Sequence, residues 1–150
     1  MSQAELLRKK FEVTGGDFLS AGQVSSKIKK LIRQLGLPSN IIKRVSIACY
    51  EAEMNIVVYA HSGTITLVVT AESINLKFRD KGPGIESIEL AMQEGYSTAT
   101  DSVREMGFGA GMGLPNIQRN ADKFSLKSKV GFGTDLSIVV FTGISKDRAA

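Results

Sequence analysis

A carboxylate and a carboxamide stand four residues apart in the stretch ACYEAEMNIVVYAH, which covers residues 48–61. The apolar residues of this stretch recur at helical spacing, and Glu51 and Asn55 lie on or beside the same face of that helix. Polar groups that face a protein core cost about 2–7 kcal/mol unless they find a hydrogen-bonding partner. The pair therefore predicts that this helix faces a polar ligand as well as a core.

A second candidate group is DKGPGI, residues 80–85, which follows a predicted strand at 74–80. Asp80 has the same strand parity as the apolar residues of that strand, so it is expected to point towards the helices. Gly82 and Gly84 permit a sharp turn and the close approach of a flat ligand. Taken alone, the segment also fits an ordinary turn with a capping aspartate.

The third candidate is GFGAGMGL, residues 107–114, in which every second residue is glycine. Exposed backbone amides that run into a helix N-terminus form an anion site, although a flexible linker would have the same composition. No Lys-Ser/Thr pair follows, so this is not a Walker A loop, and the glycine spacing does not fit a dinucleotide fingerprint. Because residues 95–112 show no apolar period, we expect a loop that a ligand orders.

The elements that position these groups follow from hydrophobic periodicity. Strands are predicted at 6–13, 64–71, 74–80, 124–130 and 134–141. Helices are predicted at 21–35, 39–60, 87–94 and 114–124. Neighbouring strand pairs indicate a mixed, mostly antiparallel sheet covered by helices on one face, which is a two-layer α+β sandwich.

Composition narrows the class of protein. With 150 residues, 43% hydrophobic and 23% charged, the chain is expected to form one globular domain over residues 1–150. The net charge of +4 comes with basic clusters at 8–10 and 27–33, which fit a solvated surface better than a nucleic-acid interface because no aromatic residues accompany them. The absence of a long apolar run and the single cysteine, Cys49, predict a cytoplasmic protein with no membrane partner.

These three groups and a fourth motif, GFGT at residues 131–134, lie between residues 45 and 141. Together they resemble the GHKL ATPase family, whose nucleotide-binding domains have the Bergerat fold. The resemblance implies ATP and Mg²⁺ as cofactors, with Glu51 as the base and Asn55 as the Mg²⁺ ligand. It further implies that Asp80, beside Gly82 and Gly84, accepts a hydrogen bond from the adenine amino group. The implied phosphate lid consists of Gly107, Gly109, Gly111 and Gly113. Thr134, which alone would only mark a hairpin turn, is implied to support adenine recognition through water.

Within that family, residues 94–126 are similar to the lid and following helix of small bacterial switch kinases, the RsbT-like and RsbW-like proteins. The resemblance implies an ATP-dependent serine/threonine kinase that phosphorylates a STAS-domain regulator in a sigma-factor partner switch. The alternative is an anti-sigma-factor-type binding module that uses ATP-Mg²⁺ as a structural or switching ligand. Implied partners are the STAS-domain antagonist, a sigma factor and a second copy of the chain.

Overall fold

The computed structural model describes residues 4–96, 99 and 113–143 of the chain. The strands are β1 (Leu7–Thr14), β2 (Ser62–Val69), β3 (Ser73–Lys81), β4 (Lys123–Lys129) and β5 (Gly133–Phe141). The helices within these ranges are α1 (Gln23–Gln34), α2 (Ser39–Tyr59), α3 (Ile88–Ala91) and α4 (Gly113–Asn120). In this part of the chain no helix combines the length and the apolarity needed to cross a bilayer.

The five strands form one sheet in the order β1-β2-β3-β5-β4. All four pairings are antiparallel, so the predicted sheet is found without the parallel component that a mixed sheet would contain. β1 lies at one edge of the sheet. The α+β prediction is confirmed, and its topology places β3 and β5 side by side although a long segment separates them in sequence.

The core lies between the helices and the inner face of the sheet. Alternate side chains of the three central strands are buried there: Ile65, Leu67, Val69, Ile74, Leu76, Phe78, Leu136, Ile138 and Val140. Each such side chain contributes roughly 1.5–3 kcal/mol when it leaves water. The same alternation puts Asp80 at the end of the inner row of β3, where it is half-buried.

Helix α2 is the central helix of the second layer, and it packs against α1, α4 and four of the strands. Five apolar residues at helical spacing on one face of α2 are buried, namely Ile41, Val45, Ala48, Ala52 and Ile56. Side chains on other faces of α2 are buried as well, because neighbouring helices and strands surround the helix on more than one side. Cys49 is one of these side chains, and burial raises the pKa of its thiol, which therefore stays protonated.

Helix α1 begins at a buried carboxylate that belongs to α2. Glu53 is only 1% exposed. It accepts hydrogen bonds from the backbone N–H groups of Gly22 and Ser25, each at 2.8 Å, and from the Ser25 hydroxyl. These bonds satisfy amides that the first turn of a helix leaves without an intrahelical partner. The contact joins α1 to α2, which carries the predicted site.

Replacing Glu53 with glutamine is expected to lower the free energy of unfolding by about 1–3 kcal/mol. The amide group keeps the size but turns donors towards backbone N–H groups that need an acceptor. Urea unfolding would show a lower midpoint with an unchanged slope. Glu86→Gln, a change of the same kind at an exposed position, is the matched control and should leave the midpoint in place. Equal midpoints for both variants would contradict the capping role.

Candidate functional site

Glu51 and Asn55 lie beneath the first residue of α4. Both side chains are half-buried. A Cβ atom built on Gly113 would stand 3.2 Å from Asn55 Oδ1 and 3.3 Å from Glu51 Oε2. The backbone at the N-terminus of α4 therefore passes directly over the two side chains, and a glycine permits this approach. The structure brings together three of the residues that the sequence singled out.

A residue that the sequence reasoning missed, Asn116, orients the Glu51 carboxylate. Asn116 makes a side-chain hydrogen bond to Glu51, and its Oδ1 accepts a hydrogen bond from the Arg119 guanidinium. The amide oxygen is thus engaged by Arg119, so the amide nitrogen is the atom that donates to Glu51. Burial raises the pKa of Glu51 above its ordinary value, and the bond from Asn116 only partly opposes this rise.

Asp80 and Thr134 meet where β3 ends and β5 begins. The Thr134 backbone N–H donates to Asp80 Oδ1 at 3.0 Å. Burial raises the pKa of the Asp80 carboxyl, the bond from Thr134 lowers it, the charge of Asp135 raises it, and the net direction is upward. Among the described residues this backbone N–H is the one donor to Asp80, so Oδ2 remains as an acceptor for a ligand.

Glycine at position 133 is required for this contact. A Cβ atom there would lie 2.0 Å from the carbonyl oxygen of Asp80, and the φ angle of 150° is one that other residues rarely adopt. Any side chain at this position would push β5 away from the end of β3. The close approach therefore fixes the distance between Asp80 and Thr134.

Gly82 and Gly84 anchor the loop that follows Asp80. A Cβ atom on Gly82 would stand 3.0 Å from Cα of Ala60, next to the end of α2. Gly84 has a φ of 75°, and its Cβ would lie 2.4 Å from the carbonyl oxygen of Lys129. The sequence predicted glycines here for the close approach of a ligand, whereas the close approach in the structure is by the protein chain itself.

Ser128 joins this loop to the β4–β5 hairpin, and the sequence reasoning missed it too. Its Oγ accepts the Ile85 backbone N–H at 2.8 Å and lies 2.8 Å from Thr134 Oγ1. The polar side chain stands on the inner row of β4, after Phe124 and Leu126, in the position that Asp80 has on β3. A polar residue that interrupts an inner row at a strand end is the signal that could have identified it.

The arrangement has the donors and acceptors that a nucleotide with a divalent cation needs. The Asp80 carboxylate is an acceptor for an amino group, and the N-terminus of α4 favours an anion beside Asn55. The Asn55 amide oxygen suits Mg²⁺, which takes few protein ligands and keeps its other positions for phosphate oxygens and water. Within the described ranges no cluster of three or more His, Cys, Asp or Glu side chains could hold a metal ion. Gly107, Gly109 and Gly111 lie outside the described residues.

Comparison with known proteins agrees with this geometry. Residues 19–140 match the family described as histidine kinase-like ATPase domain. The chain is 31% identical over 131 residues to the serine/threonine-protein kinase RsbT of Bacillus subtilis (strain 168), a match that covers 85% of this chain and 90% of that protein. It is 27% identical over 139 residues to the anti-sigma F factor of Thermoanaerobacter sp. (strain X514), covering 87% and 94% of the two chains. These matches confirm the resemblance carried by the four motifs, and the chain belongs to the histidine kinase-like ATPase domain family.

Proposed function

We propose that the protein is an ATP-dependent serine/threonine protein kinase that phosphorylates a STAS-domain regulator in a bacterial sigma-factor partner switch. The observation that carries the proposal is the Glu51 carboxylate, which Asn116 holds beside Asn55 under the N-terminus of α4. A module that only binds a nucleotide needs no base at this position. The similarity to a protein named a serine/threonine kinase supports the same conclusion.

In this proposal each site residue has one task in holding the nucleotide. Asp80 accepts a hydrogen bond from the adenine amino group, and Thr134 adds an acceptor beside it. The backbone at Gly113, with Gly107, Gly109 and Gly111, surrounds the phosphates. Asn55 holds Mg²⁺, which when bound neutralises the phosphate charge. Gly82, Gly84 and Gly133 keep the adenine end of the site in shape.

Glu51 performs the proton transfer. It accepts the proton of the substrate hydroxyl while the hydroxyl oxygen forms a bond to the γ-phosphorus. The bond from that phosphorus to the β–γ bridging oxygen breaks, and ADP leaves. Most of the catalysis of phosphoryl transfer is positioning and charge stabilisation, so few protein groups suffice. The raised pKa of Glu51 makes its carboxylate a stronger base than an exposed glutamate.

A second candidate function is an anti-sigma-factor-type module in which ATP-Mg²⁺ is a structural or switching ligand. The similarity to anti-sigma F factors favours it, and a sigma factor is the partner it implies. The two functions are compatible, since one protein can bind one regulator and phosphorylate another. For either function we infer a cytoplasmic location, where ATP is available, and a homodimer as the assembly to test first.

The kinase proposal is tested by identifying what the protein retains and modifies. The tagged protein is incubated with a cell extract and Mg²⁺, either with ATP or with a non-hydrolysable ATP analogue, and retained proteins are mapped for phosphoserine and phosphothreonine. We expect a retained STAS-domain protein that carries phosphate only in the ATP sample. A retained partner without phosphate, confirmed with the two purified proteins, would leave the switching module as the function.

A further inference from the structure

Three neighbours surround the Ser128 hydroxyl, and their chemistry fixes where its proton lies. The Ile85 backbone N–H, at 2.8 Å, can only donate. The Gly133 carbonyl oxygen, at 3.1 Å, can only accept. The single Ser128 proton is therefore directed at Gly133, and the Thr134 hydroxyl, at 2.8 Å, must donate its own proton to Ser128. This assignment is the one that satisfies all three contacts at once.

The assignment determines what Thr134 offers to a ligand. With its proton directed at Ser128, the Thr134 oxygen presents only lone pairs. Its backbone N–H is likewise engaged, because it donates to Asp80 Oδ1. Thr134 and Asp80 therefore both present hydrogen-bond acceptors to a ligand. These acceptors favour a group that donates hydrogen bonds and disfavour a carbonyl oxygen, which would face other acceptors without a proton between them.

We propose that Ser128 sets the base specificity of this site by holding the Thr134 hydroxyl as an acceptor, so that Asp80 and Thr134 together select a 6-amino purine over a 6-oxo purine. The inference rests on the proposed nucleotide site and adds a residue that determines its selectivity. Ser128 is a positioning residue, because it acts through Thr134.

The test compares ATP with inosine triphosphate, which has an oxygen in place of the 6-amino group. In the Ser128→Ala variant the Thr134 hydroxyl is free to turn and donate to that oxygen. We expect calorimetry to show that the preference of the wild type for ATP falls by about 5- to 30-fold in the variant. Ser125→Ala, the same change at an exposed position of β4, should keep the wild-type preference. A merely structural role for Ser128 would weaken both nucleotides equally and leave their ratio unchanged.

Two further variants distinguish the effect of the Ser128 hydroxyl on Thr134 from a loss of folding. Ser128→Thr keeps a hydroxyl at this position, so we expect it to prefer ATP as the wild type does. Thr134→Val keeps the shape of the side chain but removes its hydroxyl, so adding Ser128→Ala to it should change the ratio no further. The inference would be overturned if Ser128→Ala changed the preference for ATP over inosine triphosphate equally in the wild type and in Thr134→Val. It would also be overturned if the Ser128→Ala variant bound ATP with an unchanged preference. A wild-type protein that binds neither nucleotide would overturn the proposed site itself, and the inference with it.

Discussion

Replacing Asp80 with asparagine is expected to weaken ATP binding by about 2–4 kcal/mol, which is roughly 30- to 1000-fold in the dissociation constant. Asparagine can still accept the Thr134 N–H through its oxygen, so the junction of β3 and β5 survives. Its amide nitrogen, however, turns a donor towards the adenine amino group. Isothermal calorimetry with ATP and Mg²⁺ measures the loss.

Asp135→Asn is the matched control for this experiment. Asp135 neighbours Thr134, but it is exposed and pairs with Arg79 at 3.1 Å. We expect this variant to bind ATP as the wild type does. If Asp80→Asn also kept the wild-type affinity, Asp80 would not be the adenine acceptor and the nucleotide would bind elsewhere.

Replacing Glu51 with glutamine is expected to slow phosphoryl transfer to a protein serine by about 10²–10⁴-fold, the typical contribution of a general base. The glutamine side chain keeps the size of Glu51 and its contact with Asn116, so ATP affinity should change little. Single-turnover phosphorylation of the identified partner, together with nucleotide titration, reads the two effects separately.

The pH profile of this reaction is an internal check. Glu51 must be ionised to accept a proton, and burial raises its pKa. Transfer by the wild type should therefore decline on acidification at a higher pH than an ordinary glutamate would give. Asn55→Ala provides a contrast, because we expect it to remove the Mg²⁺ dependence of binding as well as turnover. A wild-type transfer rate in Glu51→Gln would contradict the role of Glu51 as the base.

Local patterns in the sequence were sufficient to predict most of the fold. Period-3.6 and period-2 spacing located α1, α2 and every strand to within about two residues at each end. Strand parity also placed Asp80 on the inner face, because alternation is a property of each strand alone. The same reasoning put Glu51 and Asn55 on one face of α2, and the structure puts both beneath Gly113.

The residues that sequence reasoning missed depend on partners distant in the chain. Glu53 resembles any other polar residue of α2 until α1 docks and brings the Gly22 and Ser25 amides to it. Ser128 needs Ile85, and Asn116 needs Glu51, from other elements. No spacing rule encodes such pairs, because the relative position of two elements comes from packing and not from the pattern within either one.

The pairing of β3 with β5 has a consequence for folding. Asp80 and Thr134 are 54 residues apart in sequence, and bringing them together closes a large loop. That closure costs about 3.5 kcal/mol from the length-dependent part of chain entropy, taken as (3/2)RT ln n. Contacts of such long range form slowly and are absent from the unfolded chain.

A ligand that needs both residues therefore binds only the fully closed chain. Such binding adds RT ln(1 + [L]/Kd) to the free energy of unfolding, about 2.7 kcal/mol when the free ligand exceeds its dissociation constant 100-fold. Because β5 lies between β3 and β4, opening this junction separates the β4–β5 hairpin from the rest of the sheet. If the nucleotide binds at Asp80 and Thr134 as proposed, its concentration sets how often that hairpin detaches and how long the chain resists proteolysis.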